Sequence, residues 1–224
     1  MRVPNDTQLI GFGNWTLRVR PAAQKPARVL LLLHGWTGDE NSMWVFMRNL
    51  ALDYWTIAPR APHAGQPGGY SWRGPAAPQH AQPGGRRAPR LEDFRPSAEA
   101  LIALVDEYAA QNELDAHRFD VIGFSQGAAL TNAIALLHPE RIRRAGVLAG
   151  FLPAGSEPLI EKRPLSGRPF FVAHGTLDEM VQIEQARRSV EMLERAGASV
   201  TFCEDEVGHK LSANCLRALE EFFE

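Results

Sequence analysis

A five-residue motif at positions 123–127, Gly-Phe-Ser-Gln-Gly, carries the strongest chemical signal in the sequence. It lies directly between a predicted strand at 119–122 and a predicted helix at 126–137. A serine on such a turn is lifted clear of the sheet edge, and the two glycines remove Cβ atoms that would clash where the chain folds back. The helix directs the N–H groups of its first turn at the same spot. The motif therefore predicts that Ser125 is a nucleophile.

A serine hydroxyl is a weak nucleophile at neutral pH, so it needs an imidazole to take its proton and an acid to orient that imidazole. Where the serine lies on a strand-to-helix turn, the chain order is serine, acid, histidine. Of the seven histidines, only His209 follows every plausible acid. Asp178 is the predicted acid because it lies just past the predicted strand at 170–173. Asp205 and Glu206 compete with it, but on the His209 loop they are more simply explained as solvated charges.

Acyl transfer also needs two N–H donors for the oxyanion, one from the residue after the nucleophile and one from the turn after an early strand. Gln126 supplies the first. The turn that begins at His34 and Gly35 follows the most hydrophobic predicted strand, at 28–33, and we assign the second donor to Trp36. The ring of His34 is interpreted as a buried side chain that hydrogen-bonds to backbone, without a catalytic role.

These residues require a framework, and the rest of the sequence predicts one. Short β-branched or apolar runs alternate with longer segments of helical period, which is typical of an α/β fold with a mostly parallel sheet and helices on both faces. We predict one domain spanning 1–224. The segment 59–90 is rich in proline and glycine without periodicity, which predicts a long loop. A loop of this length is either a lid or binding loop or disordered, and Tyr70 and Trp72 favour partial order.

Composition narrows the classes of protein and partner. The chain is 45% hydrophobic and 22% charged, as in ordinary globular domains, and its net charge of −2 does not favour nucleic acid as a partner. No apolar run is long enough to span a bilayer, and polar residues interrupt the N-terminal region where a secretion signal would lie. We therefore expect a cytoplasmic location. Two cysteines in 224 residues are no disulfide framework, so Cys203 and Cys215, although able in principle to pair, are interpreted as buried thiols.

The blocks at 33–35, 123–127, 174–178 and 208–209 resemble the phospholipase/carboxylesterase family of α/β-hydrolases, which includes acyl-protein thioesterases and small bacterial carboxylesterases. The similarity spans nearly the whole chain, and its most specific block is the serine motif. The resemblance implies Ser125, Asp178 and His209 as the triad, with the amides of Trp36 and Gln126 as the oxyanion hole. It also implies a fold without a separate cap domain.

We therefore predict a serine esterase that cleaves small carboxylic esters or thioesters, with no metal and no cofactor. Glu206 and His209 have a spacing seen in zinc sites, but no second histidine or cysteine completes one. The apolar candidates for the acyl-binding wall are Trp36, Tyr70, Trp72, Phe151 and Leu152. Two alternatives stay open: a hydrolase of another acyl bond (lactone, amide or peptide), and a binding protein that has lost its chemistry.

The sequence departs from the family in the loop before the serine. Where relatives often carry a Trp-Phe-Asp-like segment, this chain reads Tyr-Ser-Trp-Arg-Gly at 70–74, and Gln182 replaces a frequent proline after the acid loop. These differences leave the triad intact but concern the acyl-chain site.

Overall fold

The computed structural model describes residues 4–47, 53–74 and 88–224. Its strands are β1 (Gln8–Phe12), β2 (Trp15–Arg20), β3 (Arg28–Leu33), β4 (Tyr54–Pro59), β5 (His63–Ala64), β6 (Tyr70–Ser71), β7 (Phe119–Phe124), β8 (Ile142–Leu148), β9 (Pro169–Gly175) and β10 (Ser199–Asp205). Eight of these strands form the central sheet, in the order β1-β2-β4-β3-β7-β8-β9-β10. The six strands from β4 to β10 in that order run parallel, while β2 is antiparallel to both β4 and β1.

Helices cover both faces of the sheet, as the sequence predicts. They are α1 (Leu91–Gln111), α2 (Gln126–Leu137), α3 (Glu157–Ile160), α4 (Ile183–Arg195) and α5 (Ala213–Phe223), with short 3-10 helices at Ser42–Phe46 and Pro139–Arg141. Among the described residues, no helix has both the length and the apolar character needed to cross a membrane.

Strand β3 shows why the sheet needs cover on both sides. Its four consecutive leucines, 30–33, are fully buried. Because neighbouring side chains of a strand point to opposite faces, Leu31 and Leu33 join one hydrophobic cluster and Leu30 and Leu32 the other. The first cluster packs against α1, α2 and α4, and the second against α5 and the 3-10 helix at 42–46. An unbroken apolar run is what a strand buried on both faces requires.

The predicted loop at 59–90 contains regular structure that the sequence analysis did not anticipate. Strands β5 and β6 pair as a small antiparallel hairpin, and Tyr70 also bridges to Gly38 beyond β3. Two-residue strands leave no periodic pattern, and their pairing depends on a distant turn, so local sequence does not reveal them. The part of the predicted loop at 75–87 lies outside the described residues.

The interpretation of Cys203 and Cys215 as thiols is wrong, because the two form a disulfide. Cys203 lies on β10, and the chain then turns so that α5 packs back against the edge of the sheet, bringing the Cα atoms within 5.7 Å. That distance suits a disulfide. The bond closes a segment of the chain that contains His209.

We expect the Cys203→Ser/Cys215→Ser variant to lose about 2 to 3 kcal/mol of unfolding free energy, because the cross-link restricts the unfolded chain. The measurement is urea unfolding of the oxidised wild type and of the variant. Dithiothreitol should lower the wild-type midpoint toward that of the variant and leave the variant unchanged. Equal midpoints for the oxidised wild type and the variant would contradict the stabilising role.

Candidate active site

Ser125 lies on a strained turn between β7 and α2. Its backbone angles are φ 53° and ψ −112°, a region that residues other than glycine rarely adopt. The neighbouring glycines are needed because the chain is so tightly folded here. A Cβ on Gly123 would lie 2.2 Å from the carbonyl oxygen of Gly127, and a Cβ on Gly127 would lie 2.1 Å from that of Leu33. This turn presents the serine at the start of α2.

His209 links Ser125 to Asp178. Its Nε2 lies 2.9 Å from the Ser125 Oγ, and its Nδ1 lies 2.6 Å from the Asp178 Oδ2. The imidazole packs against the ring of Phe124, with the ring centres 5.0 Å apart and the planes inclined at 56°. The structure thus brings together the three side chains that the sequence analysis selected, although they are separated by up to 84 positions in the chain.

Asp178 is held by main-chain donors as well as by the imidazole. Its Oδ1 accepts hydrogen bonds from the N–H groups of Met180 (2.9 Å) and Val181 (3.0 Å), which leaves Oδ2 for His209. Burial alone would raise the pKa of this carboxyl, but the Val181 N–H, the His209 ring and the Met180 N–H outweigh burial and hold the pKa below its usual value. A carboxylate fixed in this way accepts a hydrogen bond from Nδ1–H of His209, which leaves Nε2 unprotonated and able to accept a proton.

Sequence reasoning missed His174 as part of this arrangement. This buried residue at the end of β9 donates from Nε2 to the carbonyl oxygen of Val181, 2.7 Å away, and the same nitrogen lies 3.4 Å from the Asp178 Oδ2. His174 therefore secures the loop whose N–H groups hold Asp178. Its position four residues before Asp178, at the end of a buried strand, is the only signal in the sequence.

The residues predicted to hold the oxyanion lie on two neighbouring segments. The N–H of Gln126 is at the first position of α2, where no residue of the helix can accept it. Trp36 lies on the turn after β3 and directly follows Gly35, where an added Cβ would lie 3.4 Å from the Ser125 Cβ. The ring of His34 is buried beneath this turn, with Nδ1 on the Gly35 carbonyl and Nε2 accepting from Ala61 N–H. Burial lowers the pKa of His34, which suits a neutral structural role.

The predicted acyl-wall residues have different environments. Phe151 and Leu152 line a cavity of about 470 Å³ beside the Asp178 loop, together with Met180, Val181 and Met192. Trp36 is exposed and Tyr70 is partly exposed, and neither lines this cavity. Trp72 is fully buried, and its Nε1 donates to the His34 carbonyl. Trp72 therefore supports the site from beneath and presents no surface to a substrate.

An ion pair supports the turn that carries Trp36. The buried carboxylate of Glu40 accepts two hydrogen bonds from the guanidinium of Arg60, at 2.7 and 2.9 Å, and that guanidinium stacks on the ring of Tyr70. Burial alone would raise the pKa of Glu40, but the hydrogen bonds and charge of Arg60 outweigh burial and keep the pKa below its usual value.

We expect Glu40→Gln to lower the unfolding free energy by about 2 kcal/mol at pH 7, since it weakens a charge-assisted pair. Because the folded-state pKa is depressed, the contribution of Glu40 is complete above its unfolded pKa of about 4.3 and is lost as the pH falls through the folded value. Urea unfolding of both proteins at pH 7, 5 and 3 should give curves that converge toward pH 3. A constant difference across that range would contradict the assignment to Glu40 ionisation.

Among the described residues, no group of three or more histidine, cysteine or acidic side chains is arranged to hold a metal ion. The site consists of side chains and main-chain amides.

Comparisons with known proteins place this chain in a family. The profile of the phospholipase/carboxylesterase family matches residues 14–224. The chain is 28% identical over 200 residues to acyl-protein thioesterase 1 of Debaryomyces hansenii, covering 79% of this chain and 81% of the relative. It is 32% identical over 128 residues to a probable carboxylesterase of Oryza sativa, covering 56% of this chain and 48% of that protein. The chain thus spans about half the length of the first curated carboxylesterases it matches.

The fold is also shared with solved structures. A carboxylesterase of Mesorhizobium loti superposes with a TM-score of 0.79, covering 97% of this chain and 98% of the other, at 22% identity. The family match over almost the whole length, on a fold of this kind, gives one conclusion: the chain belongs to the phospholipase/carboxylesterase family.

Proposed function

We propose that the chain is a serine hydrolase that cleaves carboxylic esters or thioesters through an acyl-enzyme. The observation that carries this proposal is the position of His209, whose two ring nitrogens lie within hydrogen-bond distance of Ser125 and Asp178. A nucleophile, a base and an orienting acid in contact are what acyl transfer by serine requires. Family membership and relatives named carboxylesterase and acyl-protein thioesterase support the same chemistry.

In the proposed first half-reaction, Ser125 Oγ forms a bond to the acyl carbon while His209 Nε2 takes its proton. The main-chain N–H groups of Trp36 and Gln126 hold the negative oxygen of the tetrahedral intermediate. The bond to the leaving oxygen or sulfur then breaks, and His209 returns the proton to that atom. Asp178 remains ionised and stabilises the imidazolium that forms.

In the second half-reaction, water attacks the acyl carbon and His209 takes a proton from it. The bond to Ser125 Oγ breaks, the acid leaves, and Ser125 recovers its proton from His209. Every step is assigned to groups of this chain, so neither a metal nor a cofactor is part of the proposal.

A labelling experiment tests the proposal directly. A fluorophosphonate probe should label the wild type and should not label Ser125→Ala, and hydrolysis of p-nitrophenyl acetate should be lost in the same variant. Circular dichroism of both proteins checks that the variant folds. A wild type that neither labels nor turns over any ester would favour the binding protein. A wild type that labels but cleaves only amides or lactones would favour the other hydrolase.

The cavity beside Asp178 is the proposed place of the acyl chain. Apolar residues line most of it, including Phe151, Leu152 and Met180, and its volume of about 470 Å³ lies in the range of small-molecule sites. Trp36 and Tyr70, at the other side of the serine, are proposed to contact the remainder of the substrate. Trp72 does not contact the substrate in this proposal, because its side chain is buried.

We expect kcat/KM for p-nitrophenyl esters to rise about fourfold per added methylene until the cavity is full, because each buried methylene contributes about 0.8 kcal/mol. The measurement is a series from C2 to C12. Ala154→Phe, at a residue that lines the cavity, should shorten the preferred chain and leave the acetate rate unchanged. A preference that does not move in this variant would place the acyl chain elsewhere.

We propose the cytoplasmic location that the sequence predicts, although the Cys203–Cys215 disulfide argues for an oxidising compartment. Structural disulfides persist mainly in oxidising compartments, and cytosolic thiols are kept reduced. Alkylation of thiols in intact cells, followed by mass spectrometry, distinguishes a cytoplasmic location from an oxidising compartment. Alkylation of both cysteines supports the cytoplasm, and protection of both contradicts it.

A further inference from the structure

The segment 70–72, here called the bridging segment, connects the two parts of the chain that carry the proposed oxyanion donors. On one side it binds the turn after β3. The N–H of Thr37 donates to the carbonyl oxygen of Tyr70, and the N–H of Tyr70 donates to that of Gly38, both at 3.0 Å. Trp36, whose N–H is one proposed donor, immediately precedes Thr37. The bridging segment therefore fixes this turn through main-chain bonds.

On the other side, the bridging segment binds the side chain of Gln126. The N–H of Trp72 donates to Gln126 Oε1 at 2.9 Å, and Gln126 Nε2 donates to Ser71 Oγ at 3.1 Å. The orientation of the amide follows from its partners, because a main-chain N–H can only donate and so must face the oxygen. The main-chain N–H of this same residue is the second proposed oxyanion donor.

Further bonds make the bridging segment a fixed support. The indole Nε1 of Trp72 donates to the His34 carbonyl at 2.8 Å, and the hydroxyl of Ser97 donates to the Trp72 carbonyl. The Trp72 side chain is fully buried against the ring of His34. Because the bridging segment is anchored at so many points, it holds the turn after β3 in a fixed position relative to Gln126.

We propose that the side chain of Gln126 is a positioning residue, which sets the placement of the two oxyanion donors relative to each other by binding the bridging segment. This inference rests on the proposed function. Stabilisation of an oxyanion depends on donors that are already aimed at the charge before it develops. Only a side-chain amide of this length can accept from Trp72 N–H and donate to Ser71 Oγ together, since a carboxylate cannot donate and a thioether makes neither bond well.

The decisive variant is Gln126→Met, which keeps the main-chain N–H and the approximate side-chain volume but loses both hydrogen bonds. Rates are expressed per serine titrated with the fluorophosphonate, so that an unfolded fraction is not counted. We expect kcat to fall about tenfold with KM nearly unchanged, because donors that are displaced affect the transition state more than bound substrate. Affinity for a boronic acid, which forms a tetrahedral adduct with the serine, should fall by a similar factor.

Two further variants complete the test. Gln111→Met, on the exposed end of α1, is the matched control and should leave both constants unchanged. Ser71→Ala removes one of the two bonds of the Gln126 amide and should give a smaller loss than Gln126→Met. Gln126→Asn, which keeps the amide but shortens its reach, should lower kcat in the same way if the methionine variant does not fold.

Unchanged kcat and boronate affinity in Gln126→Met would overturn the inference. A rise in KM alone would also overturn it, because it would mean that the bridging segment only lines the substrate groove. These outcomes differ from failure of the proposed function. If the proposed function is wrong, the wild type itself will give no labelling at Ser125 and no turnover.

Discussion

Replacement of His209 by alanine is expected to lower kcat by about 10⁶-fold, because a triad that acts as a unit loses almost all its effect when the base is removed. Within the described residues, the two buried histidines next to the site do not offer a substitute for this base. His34 and His174 are buried and already bonded to backbone groups. The measurement is ester hydrolysis at saturating substrate, with a residual rate attributable to the oxyanion donors.

His117→Ala is the matched control, since His117 is exposed and precedes the start of β7, whereas Ser125 follows the end of that strand. This control should keep the wild-type kcat. A loss of only a few-fold in His209→Ala would refute the assignment of the base. Thermal unfolding of both variants separates a chemical loss from a folding defect.

Replacement of Asp178 by asparagine is expected to lower kcat by about 10⁴-fold without unfolding the protein. The Oδ1 of Asp178 accepts from the N–H groups of Met180 and Val181, so in asparagine the amide oxygen takes that place. The amide nitrogen then faces His209 and donates to Nδ1. The imidazole must carry its proton on Nε2 instead, where it can no longer accept one from Ser125.

Glu206→Gln separates this effect from a general change in charge near His209. Glu206 is exposed on the same loop and was a competing candidate for the acid. We expect Glu206→Gln to keep the wild-type kcat. A large loss in that variant, with a small one in Asp178→Asn, would reverse the assignment of the two carboxylates.

The sequence predicts the central elements well because their signals are local and strong. The short apolar run at 28–33, which ends at His34-Gly35, favours a strand buried on both faces. The parallel sheet with helices on both sides follows from the alternation of such runs with helical ones. Strand β1 was missed, because most of its residues are exposed and it lies at the edge of the sheet. The turn of the serine motif is partly local, because Gly123 is required by a contact within the motif, whereas Gly127 is required by its approach to β3.

Features that depend on distant contacts could not be read from the sequence. Cys203 and Cys215 meet only because α5 folds back against β10. The sequence predicts Trp72 as a substrate contact in a polar loop, yet its side chain is buried, with the indole N–H donating to the His34 carbonyl and the main-chain carbonyl accepting from the Ser97 hydroxyl. The residues of the candidate triad are 31 and 84 positions apart along the chain at their two contacts, and the fold brings them together.

The backbone conformation of Ser125 lowers the stability of the fold, while its hydroxyl is needed for the proposed chemistry. Its positive φ costs about 1 to 3 kcal/mol in any residue with a Cβ atom, and glycine would relieve that cost. Selection for heat tolerance alone would therefore favour loss of the hydroxyl, and only selection for turnover retains it. A thermostability programme for this protein should hold position 125 constant and seek its gains in regions remote from the turn.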